Sequence, residues 1–502
     1  MRLGCLAASR QTPSSTLKSA TGIHYTTEKT TMNQSSIRVG TEGPPSVAYL
    51  VLIAAAAALG GFLFGFDTAV INGAVLALRN EFGANAFEIG LAVSLALLGS
   101  AVGAAIAGPL ADRIGRVRSM TVASALFLAS AIGSGLPFGL VDFIGWRILG
   151  GIAVGAASVL APAYIAEVAP AAYRGRLASL QQLAIVTGIF IALLTAYGIA
   201  KAAGGSADNV AWLGFEGWRW MFWSEIPAAL VYGIASLFIP KSPRYLVAQG
   251  RHTEAETVLR KVVGGDASVM VEKIKASLHG ERKPSFSDLR GRFGLLPIVW
   301  IGMGLSVLQQ FVGINVIFYY SSALWRVVGF TEENALQITV ITGVVNIVTT
   351  LIAIRYVDKW GRKPLLLLGS VGMAVALGVL AFIFGTAEIN PETGYPMLAG
   401  AQGVAALLAA NFYVFFFGFS WGPVVWVLLG EMFNNKIRAA ALSLAASIQW
   451  VANFVVSTTF PPIVVNLGLG AAYGIYTVFA TLSIFFVWTF VKETKGRELE
   501  EM

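Results

Sequence analysis

The chain has 502 residues, 56% hydrophobic and 12% charged, with a net charge of +8 and a mean hydropathy of +0.71. An average soluble protein is about 25% charged. Half that charge cannot cover a water-soluble body of this size, and the abundant apolar surface excludes a disordered chain. What remains is a membrane protein, and at about 20 residues per crossing a dozen helices use half the chain.

In chain order, residues 1–45 are polar and lack the apolar core of a signal peptide; they read as a disordered cytoplasmic tail in which Met1 and Met32 both stand as candidate starts. Continuous apolar segments follow near 47–78, 86–110, 119–138, 141–166, 177–200, 217–240, 294–325, 335–356, 364–386, 400–430, 439–464 and 470–491. They are too long and too continuously apolar for barrel strands of about ten alternating residues. The expected fold class is therefore all-α: twelve transmembrane helices, grouped as a bundle over 46–240, a cytoplasmic helical linker over 241–293, a second bundle over 294–491 and a short cytoplasmic tail over 492–502. In the linker, Thr253-Glu254-Ala255-Glu256 fits a capping box, and Val271 to Leu278 reads as a helix.

Sidedness follows from basic residues. With twelve spans both termini share a side, and the loops on that side hold 30 of the 35 Lys and Arg. The positive-inside rule places them in the cytoplasm, so the positive charge anchors loops and does not imply nucleic acid. The only cysteine, Cys5, and the three histidines lie outside the spans, so no metal site, cofactor or disulfide is expected.

The two halves repeat. Asp112-Arg113-Ile114-Gly115-Arg116 follows span 2, and Asp358-Lys359-Trp360-Gly361-Arg362 follows span 8, 246 residues later. Glu167 with Arg174 follows span 4, and Glu431 with Arg438 follows span 10, 264 residues later. Matched acids and bases on one face read as an inner gate (Asp112, Arg113, Arg116, Glu167, Arg174, Asp358, Arg362, Glu431, Arg438). Topology anchoring alone accounts for the bases but not for the matched acids. Parallel repeats of this kind are an architecture of alternating-access transporters.

These motifs, with Gly60-Gly61-Phe62-Leu63-Phe64-Gly65-Phe66-Asp67, Arg147-Ile148-Leu149-Gly150-Gly151, Gln309-Gln310-Phe311-Val312-Gly313-Ile314-Asn315, Trp421-Gly422-Pro423 through Trp426 and Glu493-Thr494-Lys495-Gly496, resemble the sugar porter branch of the major facilitator superfamily from about residue 47 to 500. Its bacterial glucose transporters are the nearest in pattern, and its xylose–proton symporters and animal facilitative glucose transporters are similar too. The family usually has Pro-Glu-Ser-Pro-Arg after span 6, whereas this chain has Pro240-Lys241-Ser242-Pro243-Arg244. One inner-gate pair is therefore expected to be rewired and the inside-closed state to be less favoured.

Away from the span ends, span 1 carries Asp67, span 4 Arg147 and span 6 Glu225. Intramembrane charges are expensive and point to function. Counted from the cytoplasmic ends of their helices, all three lie at similar depth in the outer half of the first bundle, so they are placed to meet. An aspartate beside an arginine stays ionised, whereas the same group desolvated and unpaired takes up a proton; this is a proton-coupling device. Resemblance to the symporters implies that role for the aspartate and arginine; facilitative animal members often carry Asn at the aspartate position. A static ion pair with Glu225 as bystander is the competing reading.

Amides and aromatics interrupt the other spans, and uncharged amides match sugar hydroxyls as donors and acceptors. The resemblance implies a sugar-binding set of Gln182, Gln309, Gln310, Asn315, Asn346, Trp426, Gln449 and Trp450, lined by Phe64 and Tyr319. Ile189 lies two turns after Gln182, where pentose-selective relatives can carry a polar residue, and its apolar side chain leans towards a hexose. Amides that merely join helices are the alternative for some of these positions. The expected function is hexose transport, glucose foremost, by proton symport and alternating access. The expected protein is not an enzyme, its partners are a hexose, a proton and the bilayer, and it is a monomer of the cell membrane. A uniporter and a membrane sugar sensor are the alternatives.

Overall fold

Inside a bilayer no water satisfies backbone N–H and C=O groups, so the chain must close its hydrogen bonds within helices. The computed structural model describes residues 47–170, 174–262, 267–280, 286–292, 294–389, 396–398, 400–433 and 437–495. The expected tail over 1–45 lies outside these, as does the chain beyond Lys495. Among the described residues twelve helices are long and apolar enough to cross a membrane: Val47–Phe82, Ala86–Ile114, Arg116–Gly135, Leu140–Val168, Ser179–Ala202, Gly217–Phe238, Pro297–Arg326, Glu332–Val357, Arg362–Thr386, Ala401–Met432, Ala440–Leu467 and Leu469–Phe490. We number them as spans 1–12. The sequence-derived boundaries agree with these to within about four residues.

The first six spans form one bundle and the last six another. Within the first, spans 2 and 4 pack against each other, as do spans 1 and 5; within the second, spans 9 and 12 do. The halves meet where span 2 lies on span 11, span 5 on span 8 and span 1 on span 7. Lipid tails offer no hydrophobic drive between helices, so close backbone approach across small residues holds them together. A Cβ on Gly155 of span 4 would overlap the carbonyl oxygen of Ser100 in span 2, and one on Gly65 of span 1 would overlap that of Ile185 in span 5.

Three spans are not the continuous helices that their apolar runs imply. Span 6 stops at Trp223 and restarts at Ile226, because Pro227 follows at the start of the new helix and can neither donate an N–H nor extend the preceding turn. Span 7 breaks at Val312-Gly313, where Gly313 takes φ +83° and the Tyr476 ring packs so closely that no Cβ fits. Span 10 widens into a π-turn at Phe417–Trp421 ahead of Gly422-Pro423. Such turns often mark functional sites.

Between the bundles, helices Pro243–Ala248, His252–Val262 and Ala267–Gly280 pack through Leu246, Ala255, Leu259 and Val271. The capping box expected at Thr253 does not form. The helix already begins at His252, Thr253 lies inside it, and Glu256, the acid of that box, pairs with Arg260 at 2.9 Å.

The glycine contacts carry a test. Gly155→Val forces branched carbons against the Ser100 carbonyl, and overpacking of this kind costs about 1–3 kcal/mol. The variant should show a lower thermal midpoint in detergent than the parent, whereas Gly145→Ala, at a position with open space around it, should not.

Candidate functional site

The face where span 1 begins and span 12 ends is called the terminal face below, and the opposite one the distal face. A buried ion pair lies in the first bundle. Span 1 carries Asp67 and span 4 carries Arg147, 1% and 2% exposed. The guanidinium donates through Nη1 to Asp67 Oδ1 at 2.6 Å and through Nη2 to Oδ2 at 3.3 Å and to the Asp67 carbonyl at 2.9 Å. The Phe222 ring lies 5.6 Å from the guanidinium carbon on its other side. Glu225 stands in the break of span 6, also buried, close enough to feel both charges. Neither of its oxygens accepts a hydrogen bond from the described residues. The three charges thus meet as their depths in the sequence imply. The break that lets Glu225 reach them is set by Pro227, a signal the apolar-run reading passed over.

The amides lie where the second bundle is irregular. Gln309, at the end of the first segment of span 7, donates through Nε2 to the Trp421 carbonyl at 2.7 Å and the Gly422 carbonyl at 3.3 Å, where the π-turn of span 10 gives way to its second helix. Gln310 donates to Gln309 Oε1, and Asn315, beyond the break, donates to Gln310 Oε1. One chain of amides therefore runs from Asn315 through Gln310 and Gln309 to span 10. Gln309 joins helices, while Asn315 sits at its partly exposed end.

Tyr319 is buried, and its Oη accepts from Asn453 of span 11, a residue the sequence reading did not single out. Asn346 is buried in span 8, close to the π-turn: a Cβ on Gly418 would come within 3.4 Å of its Oδ1. The Phe64 and Trp450 rings face each other across the two bundles, 5.8 Å between centroids. Gln182, Ile189 and Gln449 are partly buried, and Trp426 is 42% exposed. The neighbour of Gln182, Gln181, is the more buried of the two, with its amide against Gly61.

On the terminal face the two halves build the same network from equivalent residues. In the second half Arg362 grips Glu431 at 2.6 and 3.0 Å and donates to the Val357 carbonyl, and Thr494 donates to Glu431 at 2.6 Å. In the first half Arg116 reaches Glu167 and Asp112, each at 3.0 Å, and donates to the Ala111 carbonyl, and Ser242 donates to Glu167. Arg113 accepts from the Tyr245 hydroxyl at its carbonyl, and Arg438 donates to the Phe433 carbonyl. The side chains of Arg174 and Asp358 lie outside the described residues.

Among the described residues the halves differ in how their helix starts are covered. Span 9 starts after Gly361, φ +90°, and the Glu493 carboxylate covers that start, accepting from the backbone N–H groups of Arg362 and Lys363 and from those of Thr494 and Lys495, at 2.9–3.1 Å. Span 3 starts after Gly115, φ +92°, with no side-chain cap. The residue equivalent to Glu493, immediately before Ser242 as Glu493 is before Thr494, is Lys241. Partial burial pushes the Glu493 carboxyl up, but the backbone N–H donors outweigh this and hold it below the usual carboxylate range.

Among the described residues, every polar contact between the bundles lies in the distal half. Asn72 donates to the Phe318 carbonyl and Ser321 Oγ at 3.0 Å and accepts from the Ser322 N–H at 3.1 Å. Ser94 and Thr458 share a hydrogen bond at 2.6 Å. On the terminal face the gate pairs Arg116–Glu167 and Arg362–Glu431 stay within their own halves.

Two tests follow from the unequal helix starts. Lys241→Glu should supply the missing cap and raise stability by about 1 kcal/mol, the usual worth of a helix cap, read as a higher thermal midpoint; an unchanged or lower midpoint would contradict it. Glu493→Gln should lower the midpoint at neutral pH. Because the folded-state carboxyl is held low, its contribution is complete above the ordinary carboxylate value of about 4.3 and fades as the pH falls through the lowered value. The gap between Glu493→Gln and parent should therefore close in acid.

Comparison with known proteins places this geometry. Residues 53–502 match the family model described as "Sugar (and other) transporter". The chain is 64% identical over 472 residues to the glucose transport protein of Synechocystis sp., covering 94% of this chain and all of that one. It is 41% identical over 488 residues to the D-xylose-proton symporter of Escherichia coli, covering 91% and 95%. A solved inward-open conformation of the E. coli xylose transporter superposes with a TM-score of 0.77 at 40% identity, covering 90% of this chain and 99% of that one. The chain belongs to the sugar porter family of the major facilitator superfamily, and is a membrane-embedded transporter.

Proposed function

We propose that this chain carries a hexose, glucose foremost, together with a proton, by alternating access between its two bundles, with both termini in the cytoplasm of a cell whose plasma membrane holds it. The single observation that carries the coupling is the buried Asp67–Arg147 pair. While the guanidinium is in place the carboxylate is matched and needs no proton. A movement that draws them apart leaves a desolvated carboxylate, which is costly as an ion and takes up a proton from the side then open. Return of Arg147 displaces that proton to the other side. Glu225, buried and without a donor beside the pair, is the group placed to relay or share it.

The sugar reading is supported by the uncharged lining. Gln310, Asn315, Asn346, Gln182 and Gln449 offer amides, and Phe64, Tyr319, Trp426 and Trp450 offer aromatic faces. Ile189 shapes the wall, and Gln309 holds the irregular turn of span 10 in register. With the distal face sealed and the terminal-face pairs confined to their own halves, the conformation described above is read as inward-facing. In the outward-facing state the terminal-face charges Asp112, Arg113, Arg116, Glu167, Arg174, Asp358, Arg362, Glu431 and Arg438 are then free to pair across the halves. Exposed pairs of this type are worth about 0–1 kcal/mol each, enough together to bias the exchange without locking it. The 64% identical glucose transport protein supports glucose, and the 41% identical symporter supports the proton.

In proteoliposomes Asp67→Asn should abolish accumulation of sugar against its gradient while leaving exchange of sugar for sugar; retained uphill uptake would refute the coupling role. Gln310→Ala should raise the half-saturating sugar concentration by about tenfold, the loss of one buried hydrogen-bonding group, and unchanged kinetics would remove Gln310 from the site.

A further inference from the structure

The distal seal contains a buried ionisable contact that the transport reading above does not use. Glu332 is the first residue of the span 8 helix, after the Thr331 cap, and is 7% exposed. Its carboxylate accepts from three directions: the Ala207 backbone N–H at 2.7 Å, the Ser206 hydroxyl at 2.8 Å and Arg326 Nη1 at 2.7 Å. Ser206 and Ala207 belong to the loop between spans 5 and 6, in the first bundle. Glu332 and Arg326 flank the turn between spans 7 and 8, in the second. One carboxylate therefore ties the distal ends of the two bundles together, and it sits at a helix N-terminus, where negative charge is favoured.

We infer that Glu332 is the latch of the distal gate: its two hydrogen bonds to Ser206 and Ala207 hold the outside-closed conformation and must break for that face to open. The division of partners fits this task. Arg326 lies in the same bundle as Glu332 and stays with it when the bundles part, so opening exposes a carboxylate that keeps its counter-charge. Only the two crossing bonds are given up. Of the other cross-bundle polar contacts, those at Asn72 and between Ser94 and Thr458 join uncharged groups, and hydrogen bonds to an ionised acceptor are about twice as strong as neutral ones; the Lys201–Glu333 pair is charged but exposed, at 3.5 Å, and exposed pairs contribute little. Losing the latch therefore shifts the population towards the outside-open state. The inference rests on the alternating-access reading but not on proton coupling.

The test uses the full chain with Cys5→Ser, which removes the native thiol, and spin labels on Phe87→Cys and Leu467→Cys. These two exposed sites lie at the distal ends of spans 2 and 11. Inter-label distances in reconstituted protein report the distal face directly. The ratio of long to short separations should rise about tenfold in Glu332→Ala and by a smaller factor in Ser206→Ala. Parent-like distances in a Glu332→Ala protein that still exchanges sugar would overturn the latch while leaving transport standing. If Glu332→Ala does not fold, Ser206→Ala and Glu332→Gln decide: distances unchanged in both would overturn the proposal equally. A parent that moves sugar without protons would instead defeat the coupling reading and leave the latch intact.

Discussion

A peptide group without a hydrogen-bond partner cannot face lipid, and this constraint decides where the molecule is irregular. Helix breaks are tolerated only where protein covers them, and the three here all lie beside polar side chains. The break in span 6 presents Glu225 to Asp67 and Arg147. The break in span 7 separates Gln310 from Asn315 without parting their amides, and Gln309 donates to carbonyls at the end of the π-turn of span 10. The polar interior of the transporter and its backbone irregularities are thus one feature: amides and charges are present where the backbone departs from a regular helix, and each helps the other to remain buried.

The duplicated architecture turns the molecule into its own comparison. Arg116, Glu167 and Ser242 in the first half correspond to Arg362, Glu431 and Thr494 in the second, down to the carbonyls of Ala111 and Val357 that each arginine also reaches. Against that background a single exchange stands out. Glu493 caps span 9, and Lys241 leaves span 3 uncapped. The terminal face is therefore firmer in the second half than in the first. On the distal face the buried carboxylate is Glu332 of the second bundle, and the first bundle supplies its neutral donors at Ser206 and Ala207.

Much of this was legible in the sequence because it depends on composition and spacing. Apolar runs gave twelve spans, and counting residues from the helix ends brought Asp67, Arg147 and Glu225 to one depth. Matched acids and bases marked the terminal-face pairs. What was not legible depends on contacts between distant segments. Nothing near Gln309 says that its amide reaches the Trp421 and Gly422 carbonyls of span 10. Asn72 and Asn453 are isolated polar residues whose partners lie far away in sequence, and nothing around Glu332 points to Ser206 and Ala207. The motif at Thr253 shows the opposite, a good local signal overridden because the helix starts two residues earlier and the acid of the box, Glu256, pairs with Arg260 instead.

The central claim is that separation of Asp67 from Arg147 binds a proton each time a sugar crosses. The most direct measurement is the external pH of proteoliposomes holding the purified protein when hexose is added outside with no imposed gradient. The account predicts alkalinisation that follows sugar entry and disappears when Asp67 is replaced by Asn. Sugar entry with no movement of protons at any pH would contradict it and leave a facilitative carrier.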